Sequence, residues 1–139
     1  MIKLKILSVG KTKEKWLDDA CEEYLKRLKP FIQVELAWAK DTPHLIEWVK
    51  KEPSYIGLDP AGQLLDSPGF AQFMVSQWEK AGSRLALVIG GAEGLPAELK
   101  QASLISLSPL TFTHQITRLV LIEQIYRAVE ISKGSHYHK

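Results

Sequence analysis

The sequence has a single cysteine, Cys21, among its 139 residues, and it has no long hydrophobic run. A single thiol excludes an intramolecular disulfide and fits a reducing compartment. The longest uninterrupted stretch of apolar residues and glycine, 85–92, is far shorter than the ~20 residues that span a bilayer. The first five residues alternate charged and apolar side chains and lack the core of a signal peptide. We therefore expect a cytoplasmic protein without a membrane partner.

The chain also lacks a strong charge of either sign. Its net charge of +2 is too small to identify a nucleic-acid-binding protein. Basic residues do cluster in the first 29 positions, where they could neutralise phosphates. Acidic residues are interleaved with them, so an ordinary solvated face explains the pattern as well. The cluster contains Lys3, Lys5, Lys11, Lys13, Lys15, Lys26, Arg27 and Lys29.

The hydrophobic pattern predicts one α/β domain over residues 1–139, with a mostly parallel sheet flanked by helices. Alternation or short apolar runs predict strands at 2–9, 31–39, 55–58, 84–89 and 104–107, the third ended by Asp59-Pro60. The apolar run 85–89 does not alternate, which is typical of a strand covered on both faces. Helical spacing predicts helices at 13–29, 43–51, 68–81 and 114–132, and Pro96 predicts a further helix start.

Two glycine-containing turns could bind phosphates, but neither fits its motif. Gly10-Lys11-Thr12 resembles the end of a P-loop, yet Lys5 stands where that motif needs another glycine. A dinucleotide fold would place its glycine-rich turn after the first strand, with an acidic residue about 20 positions later. The turn at 90–96 comes late, and no acidic residue occurs between Glu98 and Glu123. Both nucleotide-binding interpretations therefore fail.

Two late loops remain as candidate binding segments. Paired glycines at the start of 90–96 let a main chain approach a ligand closely, although a plain structural turn is the alternative. Residues 107–114 mix apolar side chains with hydroxyls, and such a segment can enclose a flat purine while main-chain groups satisfy its ring edge. Thr113 could equally be only the cap of the last helix.

The last helix and the tail carry further signals. Apolar residues cover more than one face of 114–132, which suggests packing on the sheet and on a second subunit. Glu123 and Arg127 are spaced i,i+4, and an ordinary pair on the helix surface, worth ~0.2–0.5 kcal/mol, is enough to explain this spacing. The ending 136–139 holds two histidines without the carboxylates or thiols of a metal site. Taken alone, it predicts a disordered tail.

In order along the chain, these pieces resemble the RlmH family of SPOUT methyltransferases. The resemblance covers nearly the whole sequence, apart from a stretch between Lys40 and Tyr55 that is shorter than the family pattern. No single string is decisive, but the ordered set is highly specific. It consists of VGK at 9–11, LD at 58–59, IGGAEGL at 89–95, LSPLTFTHQ at 107–115, LIEQIYRA at 121–128 and YHK at 137–139.

The resemblance implies a fold and an activity. The fold would be an α/β fold with a carboxyl-terminal trefoil knot, an exception to the rule that chains avoid knots. The activity would be transfer of a methyl group from S-adenosylmethionine, without a metal, to N3 of a pseudouridine in 23S ribosomal RNA of the large subunit or the 70S ribosome. The family acts as a homodimer. Action on transfer RNA, or ribosome binding without catalysis, stays open.

The resemblance also implies site residues. His138 is the candidate base for removal of the imide proton, and Arg118, Tyr137 and Lys139 are candidates for positioning RNA or stabilising charge. Cofactor binding maps onto three segments of the chain. They comprise Leu58, Gly90, Gly91, Ser108, Pro109, Leu110, Thr111, Phe112 and Thr113.

Overall fold

The computed structural model describes residues 2–11, 13–82 and 84–139. Strands and helices alternate along them, as the sequence pattern predicts. The strands are β1 (Ile2–Val9), β2 (Ile32–Ala39), β3 (Tyr55–Leu64), β4 (Leu85–Ile89) and β5 (Ser103–Ser106). The α-helices are α1 (Lys15–Leu28), α2 (Thr42–Lys50), α3 (Ser67–Ala81) and α4 (His114–Ser132).

All strand pairs in the sheet are parallel, and their spatial order is β2-β1-β4-β3-β5. The predicted α/β fold with a parallel sheet is therefore confirmed. Every residue of β4 is buried, because this strand lies between β1 and β3 with helices above and below. The absence of alternation in 85–89 correctly indicated that environment.

The helices divide the core into two layers. One cluster joins α1, α3 and α4 to one face of the sheet. The second, smaller cluster joins α2 and the turn Ala97–Leu99 to the other face. Three helices begin at side-chain caps, in which Asp41, Asp66 and Thr113 accept main-chain N–H groups of the first turn. Such caps satisfy donors that a helix start leaves free.

Two predicted boundaries are wrong. β3 does not end at Asp59-Pro60 but continues to Leu64, and its register shifts so that Leu58 and Gln63 both face Ile105 of β5. The bulge is possible because the Asp59 carboxylate accepts the N–H of Ala61 at 2.8 Å. The helix expected after Pro96 is only the short turn Ala97–Leu99.

Several expectations stay predictions. Strand order does not decide whether the carboxyl-terminal part forms a trefoil knot or whether residues 1–139 are one domain. Of the rejected P-loop segment, Thr12 lies outside the described residues. None of the helices within 2–11, 13–82 and 84–139 combines the length and apolar character that crossing a membrane requires.

Candidate active site

A cavity of about 790 Å³ opens where β4 and β5 end, beside the bulge of β3. Its volume lies within the usual range for small-molecule sites. The loops after β4 and β5 meet there because the carboxyl ends of parallel strands lie at one edge of a sheet. Its lining is mainly apolar side chains and main chain. The β3 bulge and the β4 end contribute residues 58–60, 89–92, 94 and 95, and the β5 end contributes 105–108 and 110–117.

The loop after β4 is closed too tightly to accept a side chain at its first position. A Cβ on Gly90 would lie 2.2 Å from the carbonyl oxygen of Gly94. Gly94 itself has φ +86°, a left-handed conformation that favours glycine. Gly91 differs, since a Cβ there would meet only the Val9 side chain at 3.6 Å. Gly90 is therefore required to form the loop, whereas Gly91 leaves space beside it.

The loop after β5 is shaped by its own hydroxyls. Ser106 Oγ donates to the carbonyl of Ser108 at 3.0 Å, and Ser108 Oγ accepts the N–H of Leu110 at 2.9 Å. Thr113 Oγ1 accepts the N–H of Ile116 at 3.2 Å, so Thr113 is the cap of α4 that the sequence offered as one alternative. Within the described ranges, the N–H groups of Thr111 and Phe112 have no hydrogen-bond partner in the chain. These two groups are available to donate hydrogen bonds to a ligand.

Asp59 places a carboxylate at the cavity wall. Its side chain is nearly buried, and Lys100 Nζ lies 3.4 Å from Oδ2 while Oδ1 accepts the N–H of Ala61. This pairing compensates part of the cost of burying the charge. It also ties the β3 bulge to the segment that precedes β5.

The loop between β1 and α1 forms part of the cavity as well, which sequence reasoning missed. Glu14, Trp16 and Leu17 line it, and Trp16 is 58% exposed. Leu110, in the loop after β5, also lines the cavity and is 72% exposed. Trp16 lies within the helix predicted at 13–29, and only its position just before the first buried residue of α1 could have suggested that it lines a cavity.

Most of the predicted cofactor residues lie together. Leu58, Gly90 and Gly91 line the cavity, and so do five of the six residues 108–113. Pro109 is exposed and is not among the lining residues. The three segments that the sequence linked only through a resemblance thus surround one space.

His114 extends the cavity wall at the start of α4. Burial lowers the pKa of its imidazole, and the nearby charge of Arg118 lowers it further. The N-terminal end of a helix also disfavours a positive side chain. His114 therefore tends to remain neutral at the edge of the site.

Arg118 is fully buried, and its predicted role in positioning RNA or stabilising charge stays a prediction. Its guanidinium donates to Ser8 Oγ at 3.0 Å and to the carbonyls of Val9 and Gly10, each at 2.5 Å. It also lies 4.1 Å from the centre of the Trp38 ring. Burial lowers the pKa of this arginine to about 10, so it remains charged at neutral pH. Its position couples the start of α4 to the loop after β1.

The carboxyl-terminal tail is held in place, so the expectation of disorder from residues alone is wrong. Gly134, with φ +73°, donates to the carbonyl of Ile131, and Ser135 donates to that of Glu130. This is the Schellman arrangement at a helix end. It turns the chain back, and the Tyr137 ring packs edge-on against Tyr126 with centroids 4.8 Å apart. The glycine after a basic residue at the helix end was a usable signal that the sequence interpretation overlooked.

Glu123 and Arg127 do more than form a surface pair. Glu123 Oε2 accepts the Arg127 Nη2 proton and the Tyr137 hydroxyl, each at 2.9 Å. Burial, and then the bond to Glu123, raise the pKa of Tyr137 well above its usual range, which keeps the phenol neutral. Arg127 Nη1 lies 3.1 Å from His138 Nδ1. Lys139 is exposed beyond this network.

The predicted residues of the tail do not meet the predicted cofactor residues within one chain. Glu123 lies six residues after Thr117, the last lining residue of α4, a rise of about 9 Å. Arg118, Tyr137, His138 and Lys139 are not among the residues that line the cavity. Among residues 2–11, 13–82 and 84–139, no three potential metal ligands lie together, and a metal-independent reaction stays a prediction.

Comparison with known proteins gives a consistent result. A family model described as "Predicted SPOUT methyltransferase" matches residues 2–138. A protein named Ribosomal RNA large subunit methyltransferase H from Protochlamydia amoebophila (strain UWE25) is 68% identical over 140 residues, covering all of both chains. A protein of the same name from Symbiobacterium thermophilum is 37% identical over 161 residues, covering 99% of this chain and 100% of that protein.

A third protein of that name, from Geotalea daltonii, is 34% identical over 152 residues and is covered to 99% on both sides. Among solved structures, TrmJ from Z. mobilis ZM4 superimposes with a TM-score of 0.56. That match has 10% sequence identity and covers 92% of this chain and 70% of the other. At such identity it supports the fold alone.

Proposed function

The chain belongs to the SPOUT methyltransferase family, and from that premise we propose that it methylates N3 of a pseudouridine in 23S ribosomal RNA. Full-length relatives that are 34–68% identical carry the name Ribosomal RNA large subunit methyltransferase H. SPOUT methyltransferases use S-adenosylmethionine as the methyl donor. The proposed substrate is the large subunit or the 70S ribosome, in the cytoplasm and without a membrane partner.

The observation that carries this proposal is the convergence of three predicted segments on one cavity. The apolar side chains of Leu58, Leu95 and Ile105 suit the faces of an adenine ring. The N–H groups of Thr111 and Phe112, which lack partners in the described chain, suit acceptor atoms at its edge. These features fit S-adenosylmethionine, while the tight loop at Gly90 sets the shape of the wall.

Catalysis in this cavity would depend on placement. The bound cofactor supplies a methyl group that its sulfonium already makes electrophilic. The chain's part is to hold the acceptor nitrogen in line with that methyl group, and such orientation is worth ~7–11 kcal/mol in favourable cases. A neutral His114 at the cavity wall avoids repelling a cationic ligand. The loops around Gly90 and Ser108 would shield the apolar side of a bound cofactor from water.

A homodimer would bring the tail to the cavity. Within one chain, Glu123 of the tail network lies about 9 Å along α4 from Thr117, the last lining residue of this helix. Trp16 and Leu110 expose large apolar surfaces at the cavity mouth, and exposed apolar patches often mark interfaces. We propose that a second copy covers this region and presents its Tyr137 and His138 to the site. Sedimentation showing a fully active monomer would contradict this arrangement.

The decisive experiment is mass spectrometry of ribosomal RNA nucleosides from a strain that lacks the gene. Complementation with the full chain should restore methylpseudouridine in 23S RNA, whereas a chain ending at Ser135 should not. Calorimetry should show that the truncated chain still binds S-adenosylmethionine with nearly unchanged affinity. Methylation of transfer RNA instead, or ribosome binding without any methyl transfer, would contradict the proposal and support the respective alternative.

A further inference from the structure

The contact between Arg127 and His138 defines the protonation of the histidine ring. Arg127 Nη1 lies 3.1 Å from His138 Nδ1. An arginine side chain has N–H donors and no acceptor, so Nδ1 must be the acceptor in this bond. A ring that accepts at Nδ1 is neutral and carries its single proton on Nε2. His138 therefore presents an N–H group, not a lone pair, away from Arg127.

The guanidinium is fixed by further contacts, so this tautomer is imposed by the fold. Nη2 of Arg127 donates to Glu123 Oε2 at 2.9 Å, and the same oxygen accepts the Tyr137 hydroxyl. Gln124 Nε2 donates to the other Glu123 oxygen at 2.7 Å. The guanidinium carbon also lies 4.8 Å from the centre of the Tyr137 ring. Bonds on both carboxylate oxygens and a stacked ring leave the arginine little freedom to turn.

We propose that Glu123 and Arg127 are positioning residues that make His138 a hydrogen-bond donor in methyl transfer, and not its general base. The proposal rests on the proposed function. Loss of the N3 proton from an imide leaves negative charge shared with the flanking carbonyl oxygens. The Nε2–H of His138 donates to one of these oxygens and stabilises the anion, as donors in an oxyanion site do.

The reaction balances without a protein base. The imide proton passes to water, and the N3 lone pair forms the new N–C bond to the methyl group. The S–C bond breaks at the same time, and its electron pair stays on sulfur, which leaves as a neutral thioether. His138 begins and ends the cycle with its proton on Nε2.

The tautomer is tested directly by NMR of the full chain labelled with ¹⁵N-histidine. Two-bond ¹H–¹⁵N spectra at neutral pH should show His138, assigned with His138→Gln, with Nδ1 unprotonated and Nε2 protonated. Arg127→Met removes the donor but keeps the length of the side chain, and it should give a mixture of tautomers. Arg27→Met is the matched control, because Arg27 also pairs with a glutamate at i,i+4 and lies over Tyr126 but makes no hydrogen bond to His138 within the described part of the chain. The control should keep the single tautomer.

Two substitutions at His138 distinguish a role as hydrogen-bond donor from a role as general base. The amide of His138→Gln can donate but cannot take up a proton, whereas His138→Phe can do neither. For a donor, methylation of ribosomal particles should fall about 10²-fold in His138→Phe. It should stay within about tenfold of the unsubstituted chain in His138→Gln.

Equal losses in the two variants would overturn the donor role, and so would a protonated Nδ1 in the spectra. The spectra do not depend on which RNA is methylated. If the chain shows the expected tautomer but no methylation of 23S RNA, the proposed function is wrong while the tautomer assignment stands.

Discussion

The cavity lies at the start of α4, whereas the tail packs back against the middle of this helix, and the two regions are built in different ways. The cavity takes its form from main chain, since the loop at Gly90 closes on the carbonyl of Gly94 and the loop at Ser108 bonds to itself. The tail is held by side chains, chiefly the carboxylate of Glu123 and the guanidinium of Arg127. Substitutions that add side-chain atoms should therefore disturb the cavity, whereas substitutions that remove side-chain groups should disturb the tail.

The same helix supports both regions. Thr113 caps it beside the cavity, and Gly134 turns the chain back at its other end. Arg118, near the cavity end, reaches through the core to the carbonyls after β1. A change at one end therefore need not disturb the other, provided that the buried middle of the helix stays packed.

The largest effect is expected from Gly90→Ala, with Gly91→Ala as its matched control. The new Cβ at position 90 would meet main-chain oxygen at 2.2 Å, which no rotamer change can relieve, whereas at position 91 it finds ordinary contact at 3.6 Å. Gly90→Ala should lower the free energy of unfolding by about 1–3 kcal/mol. It should also weaken S-adenosylmethionine binding at least about tenfold, as measured by calorimetry.

Gly91→Ala should change both quantities much less. If the two substitutions had equal effects, the inference that only position 90 is too tightly packed for a side chain would be wrong. A Gly91→Leu variant extends the series, because a long side chain there would enter the space assigned to the cofactor. Native affinity in that variant would contradict the cavity assignment.

The next effect is expected from removal of the carboxylate that holds the tail. Glu123→Ala leaves Arg127 and the Tyr137 hydroxyl without their shared acceptor, and should cost about 1–2 kcal/mol of stability, since bonds to charged groups are worth more than neutral ones. Glu23→Ala removes an exposed pair of the same i,i+4 spacing and should cost only ~0.3–0.5 kcal/mol. Urea unfolding measures both.

Hydrogen exchange at the tail amides gives an independent check. In Glu123→Ala the protection of residues 135–139 should fall, while cofactor affinity should remain within about twofold. An unchanged exchange pattern would show that the Schellman turn alone holds the tail. A large fall in cofactor affinity would show that the two ends of α4 are coupled.

Local pattern was enough to predict the sheet and to single out the two late loops, whereas the link between these loops and Leu58 came only from the family resemblance. The unbroken apolar run 85–89 indicated a central strand, and every residue of β4 is buried. The glycine and hydroxyl segments follow strands, so a parallel sheet necessarily brings them to one edge. The β3 extension was missed because a proline normally ends a strand, and only the bond from Ala61 to Asp59 shows how the strand continues.

Contacts distant in sequence could not be predicted in this way. Arg118 has the sequence context of a helix-surface residue, but it bonds to residues 108–110 positions earlier in the chain. The spacing of Glu123 and Arg127 is the same as that of Glu23 and Arg27, which form an ordinary exposed ion pair. Their role depends on Tyr137 and His138 returning along the helix, which requires the turn at Gly134.

The smallest effect concerns pH and the cavity end of α4. The folded-state pKa of His114 is lowered by burial and by Arg118. Neutral His114 therefore contributes stability that is complete above its unfolded pKa of about 6.5 and is lost as pH falls through the lower folded value. His114→Gln cannot titrate, so its unfolding free energy should decrease less than that of the unsubstituted chain between about pH 7.5 and pH 5. Parallel pH profiles for the two chains would mean that His114 is as well solvated in the folded as in the unfolded state. The cavity wall would then be open to water at the position where the proposed function needs it to be partly closed.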